Sequence, residues 1–176
     1  IESIALKRGN EIVLVVDKEN GETVTKEELA KADVAIEFST PHTAVSNIYK
    51  CFAADVPVVV GTTGWYEHLP EVQKKQKENN SGLFYATNFS IGVNVFFEMN
   101  KFLARMMNKY PDYDVSMEEL HHVHKKDAPS GTGITIAEGI MEHFSGKKKY
   151  SIKKSGDREE IFIEVVRDGE IPGTHI

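Results

Sequence analysis

The chain has 176 residues, 40% of them hydrophobic and 27% charged, with a formal net charge of -6. That length holds one large domain or two small ones, and the composition is ordinary for a globular protein. The acidic balance argues against broad nucleic-acid binding, and no apolar run approaches the roughly 20 residues of a membrane-spanning helix.

In chain order, Ile1 to Arg8 reads as the tail of a helix with no start signal, and Gly9-Asn10 is a plausible stop. Ile1-Glu2-Ser3-Ile4 is not a secretory signal. Glu11 to Val16 is a short, continuous apolar run that suits a strand buried on both faces. Asp17-Lys18 ends it, and Glu19-Asn20-Gly21 is a turn. Thr25, with Glu28 three residues on, is a capping box for a short helix through Ala32. A second strand is expected over Asp33 to Phe38. Ser39-Thr40-Pro41 then opens a helix to about Ala54, with proline in the first turn. The single cysteine, Cys51, lies inside that helix and reads as a packing residue. It cannot form an internal disulfide, which fits a reducing cytoplasm.

Val56 to Val60 is a third strand, closed by Gly61-Thr62-Thr63-Gly64. A polar helix follows from about Glu67 to Glu78, and Gly82 to Ala86 is a fourth strand. Strands alternating with helices predict a parallel, Rossmann-like doubly wound sheet. The pattern changes after Asn88. A long helix is expected from about Val93 to Asn108, with Pro111 stopping it, and a strand from Tyr113 to His121. Ser130-Gly131-Thr132-Gly133 opens a helix, Ile134 to Phe144. Lys147 to Arg158 is polar and basic and reads as a solvated loop. Ile161 to Val166 is a strand, Asp168-Gly169 a hairpin turn signal, and Ile171 to Ile176 the returning strand. The fold class is therefore α/β, with residues 1–88 forming the Rossmann-like domain and 89–176 a second, α+β domain. The doubly wound sheet is incomplete at its N-terminus. Further sequence is expected on both sides.

Asp17, at a strand end, could accept hydrogen bonds from adenosine ribose hydroxyls, or could simply form a turn. Lys18 could meet a ribose 2′-phosphate or point into solvent. The glycine-rich phosphate loop of such a unit would lie about 20 residues earlier and is not in this sequence. Gly61-Thr62-Thr63, Phe38-Ser39-Thr40 and Ala86-Thr87-Asn88-Phe89 all follow strands. Open parallel sheets bind ligands beyond those ends, so three such edges point to a ligand site rather than to unrelated turns.

The sharpest segment is Glu118 to Gly133, in which His121, His122, His124, Lys125 and Lys126 crowd before a helix start. Histidine moves protons near neutral pH, and lysine neutralises carboxylates or donates a proton. The free N–H groups at Gly131 and Thr132 suit an anion. Two other readings stay open. His122 and His124 would share one strand face at a spacing that could ligate zinc, although no cysteine or Glu-x-x-His pattern supports a metal. The histidines could also be surface residues of a polar strand end.

This segment resembles the dihydrodipicolinate reductase family, whose signature stands here as Glu119-Leu120-His121-His122-Val123-His124-Lys125-Lys126-Asp127-Ala128-Pro129-Ser130-Gly131-Thr132. Asp33 to Pro41, Val58 to Gly64, Ala86 to Asn94 and Pro172-Gly173-Thr174-His175 follow in the family's order. The resemblance implies an NADH- or NADPH-dependent reductase with a Rossmann domain and a mixed-sheet substrate domain, assembled as a homotetramer. It implies reduction of 4-hydroxy-tetrahydrodipicolinate, a dicarboxylate, to tetrahydrodipicolinate. By motif match, His121 is a proton donor or acceptor and Lys125 the proton donor, while His122, Gly131 and Thr132 hold substrate carboxylates. Gly61, Thr62 and Thr63, with Ala86, Thr87, Asn88 and Phe89, line the nicotinamide side, near Phe38 and Ser39; Asp17 and Lys18 meet the adenosine end. No metal is implied. Competing readings are another Rossmann oxidoreductase, such as an amino-acid or semialdehyde dehydrogenase, and a nucleotide-sensing module. Cys51 inside a helix does not fit a semialdehyde dehydrogenase nucleophile, and the histidine-lysine run has no use in mere sensing.

Overall fold

Short apolar runs, valine in β2 and aromatic in β3, set the first half of the chain into parallel strands. The computed structural model describes residues 1–176, which divide into two units, Ile1–Ala86 and Thr87–Ile176. In the first unit, helix α1 (Glu2–Lys7) and helix α2 (Lys26–Leu29) precede strand β1 (Ala35–Glu37). Helix α3 (Pro41–Ala53), strand β2 (Val58–Val60), a 3-10 turn (Tyr66–His68), helix α4 (Leu69–Asn79) and strand β3 (Leu83–Tyr85) follow. The capping box forms as expected: Thr25 Oγ1 accepts from the Glu28 N–H, and Glu28 accepts from the Thr25 N–H at 2.8 Å. The sheet order is β1-β2-β3, with both pairs parallel.

The core of this unit joins Ala44, Ile48, Cys51 and Phe52 of α3 to Val58 and Val60 of β2, Trp65, and Val72 of α4. Period-2 alternation aims Val58 and Val60 at these helices and turns Ile36 and Phe84 to the other face, where both are exposed. Cys51 is buried as a packing residue. Its thiol is pushed up to about 11, first by burial and then by the charge of Glu37. One expectation fails. Glu11 to Val16 forms no strand, and Val13, Val15 and Val16 are exposed. An apolar run becomes a strand only beside a partner strand, and none lies against this one.

The second unit contains helix α5 (Ile91–Met107), strand β4 (Met117–His121), helix α6 (Gly131–His143), strand β5 (Lys149–Ser151), strand β6 (Glu160–Arg167) and strand β7 (Thr174–His175). Its sheet order is β5-β6-β4-β7. β5, β6 and β4 are parallel, and β7 is antiparallel to β4. Phe97 and Ala104 of α5 pack with Ile136, Ala137 and Ile140 of α6 over Met117, Ile161 and Ile163. A parallel sheet followed by a mixed one agrees with the α/β class expected from the sequence.

Two strands of this unit are shorter than expected. The strand expected from Tyr113 begins only at Met117, and the last strand shortens to Thr174–His175. Asp168-Gly169 is not a hairpin turn, because β4 lies between β6 and β7. Instead it docks on the end of β4, where the Asp168 N–H donates to His121 O at 2.9 Å.

The Lys147–Arg158 segment, expected as a solvated loop, is one only over its exposed residues 152–158. It contains β5, and Lys147 is 3% exposed. The Lys147 Nζ donates to Arg158 O at 2.9 Å and Glu160 O at 2.8 Å and meets Asp114 at 2.6 Å. That ammonium holds the Asp114 carboxyl below its usual range. Lys147→Met keeps the buried stem but strands two carbonyls, each costing about 1–3 kcal/mol when unsatisfied. We expect a loss of about 2 kcal/mol in urea unfolding. An unchanged midpoint would show that water replaces the ammonium at no cost.

Candidate active site

The first unit gathers its expected site residues at one edge. Phe38, Ser39, Gly61, Thr62, Thr63 and Ala86 follow the carboxyl ends of β1, β2 and β3, because all three strands run parallel. The Gly61 N–H donates to Glu37 O at 2.9 Å, and the Ser39 N–H donates to Thr62 Oγ1 at 2.7 Å. Thr62 is buried, and its carbonyl accepts from the Trp65 indole N–H at 2.8 Å. The outer end of the Phe38 ring lies against Gly61, where an added Cβ would come within 2.1 Å of Cζ. Asp17 and Lys18 stand apart from this edge on an exposed turn. Asp17 Oδ1 accepts from the N–H groups of Glu19 and Asn20, which is the turn-forming geometry.

In the second unit, alternation along β4 turns Met117, Glu119 and His121 to the buried face. Glu119 is fully buried, and its carboxylate gathers donors from three segments. It accepts from the Ser130 N–H at 2.9 Å, the Ser130 hydroxyl at 2.7 Å and Arg167 Nη2 at 3.3 Å. His175 Nε2 lies 3.0 Å from Ser130 Oγ and 3.8 Å from Glu119 Oε2. Ser130 Oγ gives its proton to Glu119 and accepts the Gly133 N–H at 3.0 Å, so His175 is the donor to that hydroxyl.

Ser130 thereby caps α6, whose first N–H groups, on Gly131 and Thr132, have no acceptor within the helix. The Asn88 amide donates to Thr132 Oγ1 at 3.3 Å, and Thr87 Oγ1 pairs with Thr135 Oγ1 at 2.8 Å. Two residues expected on the nicotinamide side thus sit against the first turn of α6. Phe89 instead lines an apolar hollow with Ile91, Val95 and Met99.

β4 ends at His121, so His122 and His124 do not share a strand face. They lie in a turn where the Lys125 N–H donates to His122 O at 3.1 Å. His124 is exposed and pairs with Glu170 at 3.4 Å. Lys125 Nζ meets Asp127 Oδ1 at 2.7 Å. Arg167 fastens this turn to the sheet: Nη2 donates to Asp127 O at 2.7 Å and Nε to Lys125 O at 3.4 Å. His121 is 6% exposed, and its Nδ1 is buried without a protein partner. The His121 ring meets His175 edge-on at 5.2 Å, and Gly173 makes room for it, since a Cβ there would come within 3.0 Å of Nε2.

Glu119, His121 and His175 present one ligand atom each within 4.8 Å of one another. Ser130 and Arg167 donors already occupy the carboxylate, and a dication would face the guanidinium. Glu119 and His175 are joined through Ser130 by hydrogen bonds, and His121 meets them only by its ring contact with His175.

Burial is the first cause that lowers both His121 and His175 from the ordinary imidazole value. Lys125 lowers both further, whereas Glu119 opposes the shift. The folded rings stay neutral at a pH where the unfolded chain already binds protons. Their contribution is full above the unfolded value of about 6.5 and is lost as pH falls toward the folded values. We expect a lower urea midpoint at about pH 5.5 than at about pH 8, and a smaller difference in the His121→Asn/His175→Asn double variant. A pH slope identical in the two proteins would assign the effect elsewhere.

Models for the N-terminus and the C-terminus of dihydrodipicolinate reductase match residues 4–89 and 92–176. A 4-hydroxy-tetrahydrodipicolinate reductase from Christiangramia forsetii is 43% identical over 177 residues, covering 99% of this chain and 72% of the relative. The chain belongs to the dihydrodipicolinate reductase family. The same name is carried by a relative from Methanocaldococcus jannaschii, 39% identical over 82% of this chain and 54% of its own length. A solved dihydrodipicolinate reductase from Paenisporosarcina sp. TG-14, bound to dipicolinate, is similar with a TM-score of 0.56 and 30% identity. That match covers 86% of this chain and 60% of the other. The signature run assigns no role to Glu119 or Asp127, Arg167 lies outside it, and the sequence names His175 only within Pro172-Gly173-Thr174-His175.

Proposed function

We propose that this protein reduces 4-hydroxy-tetrahydrodipicolinate to tetrahydrodipicolinate with NADH or NADPH, the reductase step toward diaminopimelate and lysine. The observation that carries it is the fold of the signature run: Glu119 binds both Ser130, the cap of the α6 start, and Arg167, which holds the Lys125 carbonyl, while His121 is buried beside His175. Gly131 and Thr132 N–H groups, His122 and Lys125 hold the two substrate carboxylates. Lys125 delivers the proton that offsets the charge built up at reduction, and His121 donates or accepts the proton of the departing hydroxyl. The bound nicotinamide supplies the hydride.

The residues of the first unit fit that cofactor. Gly61 lacks the Cβ that would collide with Phe38, which leaves an aromatic wall on bare backbone at the carboxyl edge of a parallel sheet. Phe38, Ser39, Gly61, Thr62, Thr63 and Ala86 line the nicotinamide side, with Thr87, Asn88 and Phe89; Asp17 and Lys18 serve the adenosine ribose. Because Asp17 repels a 2′-phosphate, we expect NADH to be used at least as well as NADPH. We further propose a homotetramer formed through the second sheet, whose face away from α5 and α6 carries Leu120, Phe162 and Val166 by alternation. A reducing cytoplasm suits the buried Cys51 thiol. No helix is long and apolar enough to cross a membrane.

The test is steady-state turnover of the intact protein on freshly formed substrate, following NADH and NADPH absorbance separately, with light scattering for the assembly. Absence of turnover with both cofactors would refute the assignment.

A further inference from the structure

Glu119 is the most buried charge in the second unit, and the proposed chemistry makes no direct use of it. Its partners explain why a buried carboxylate persists there. One oxygen accepts both the Ser130 N–H and the Ser130 hydroxyl, at 2.9 and 2.7 Å. The other oxygen accepts from Arg167 Nη2 at 3.3 Å. Ser130 is the cap of α6 and the residue before Gly131 and Thr132. Arg167 carries the carbonyls of Lys125 and Asp127. Gly133 leaves the room this carboxylate needs, since a Cβ there would come within 2.5 Å of Glu119 Oε2. One side chain thus touches both the helix start and the tether of the Lys125 turn, while its burial keeps it from substrate.

We propose that Glu119 is the positioning residue of the carboxylate-binding site: it fixes the direction of the Gly131 and Thr132 N–H groups and, through Arg167, the turn bearing Lys125. This rests on the reductase reading given above. Charge is required because every hydrogen-bond partner of the carboxylate donates to it. A glutamine would aim its own N–H₂ at one of those donors, so either the Ser130 or the Arg167 contact is lost. Misplacing an N–H pair by a fraction of an ångström weakens an anion contact without removing any group that touches the ligand.

The experiment compares wild type, Glu119→Gln, Ser130→Ala and the double variant of the intact protein. Dipicolinate affinity is read by calorimetry, NADH affinity by fluorescence, and KM and kcat by turnover. For Glu119→Gln we expect dipicolinate Kd and substrate KM to rise about tenfold or more, the scale of a lost charged hydrogen bond. NADH Kd should stay within about twofold. Ser130→Ala should weaken dipicolinate about threefold or more, and the double variant should be no worse than Glu119→Gln, since both act through one contact. A folded Glu119→Gln protein with unchanged dipicolinate affinity overturns the proposal. So does an equal loss of NADH and dipicolinate affinity, which marks a general structural role. If Glu119→Gln does not fold, Ser130→Ala decides, and unchanged dipicolinate affinity there overturns the proposal. Wild type that neither turns over substrate nor binds dipicolinate defeats the reductase reading itself; wild type that does both isolates the result to Glu119.

Discussion

His121→Ala and Lys125→Ala are each expected to lower kcat by about 10²-fold or more, the usual scale for a lost general acid. Lys125 is held by Asp127 through its ammonium and by Arg167 through its carbonyl, so its head has one orientation rather than many. Preorganisation of that kind makes the loss large. His121 is nearly enclosed, and its ring is seated by Gly173 and His175. His122→Ala should act mainly on KM, as loss of a binding contact does. His124→Ala is the control: its side chain is exposed, with an ion pair to Glu170 and its ring 6.0 Å from that of His122, so we expect a change of less than about threefold. Steady-state kinetics of the four variants, after folding is confirmed, checks the set. A silent Lys125→Ala beside a crippled His124→Ala would invert the site.

Gly133→Ala should be the most damaging single methyl in the second unit. Its Cβ would stand 2.5 Å from Glu119 Oε2 and 3.3 Å from Ser130 Oγ. A carboxylate at the end of a mobile side chain would swing away, but this one is fully buried and held by Ser130 and Arg167. Movement therefore breaks a charged network in a place that water does not reach. Loss of even one such bond costs about 2–3 kcal/mol, which lowers the melting temperature by roughly 5–10 °C for a chain of this size. Gly156→Ala is not a matched control, because its positive φ adds backbone strain. Gly92→Ala is one: a Cβ there meets only Ser90 Oγ at 3.8 Å, and alanine suits a helix. Thermal unfolding within about 1 °C of wild type for Gly133→Ala would mean that the network relaxes freely, contrary to its burial.

The signature run was legible because its chemistry is consecutive: His121, Lys125 and the Ser130 cap fall within one short stretch, and both the cap and the turn form locally. The parallel sheet of the first unit was legible for a similar reason, since Val58 to Val60 and the Pro41 helix start carry local signals. What was not legible is what long-range pairing decides. Glu119, Arg167 and His175 lie on three strands, and nothing local says that β4 runs between β6 and β7. Without that order, Asp168-Gly169 looks like a hairpin. Lys147 heads a run of lysines that resembles a solvated surface, and only its three partners distinguish it from Lys148. Glu11 to Val16 fails in the opposite sense: its local signal is strong, but no strand pairs with it.

The position of β4 between β6 and β7 also bears on how the second unit comes into being. The Arg167 and His175 contacts to Glu119 close loops of 48 and 56 residues, taken as differences in residue number. Closure of that length costs chain entropy before any contact returns it, so such contacts form late unless nearer ones prepare them. The β5–β6 pair and the α5–α6 packing can form beforehand without ordering Glu119. Recovery of dipicolinate binding during refolding should therefore lag behind recovery of helix, and the last amides to gain hydrogen-exchange protection should include those of Ser130 and Ile176. Ligand binding becomes a report on the final docking of β7, not on the appearance of the fold.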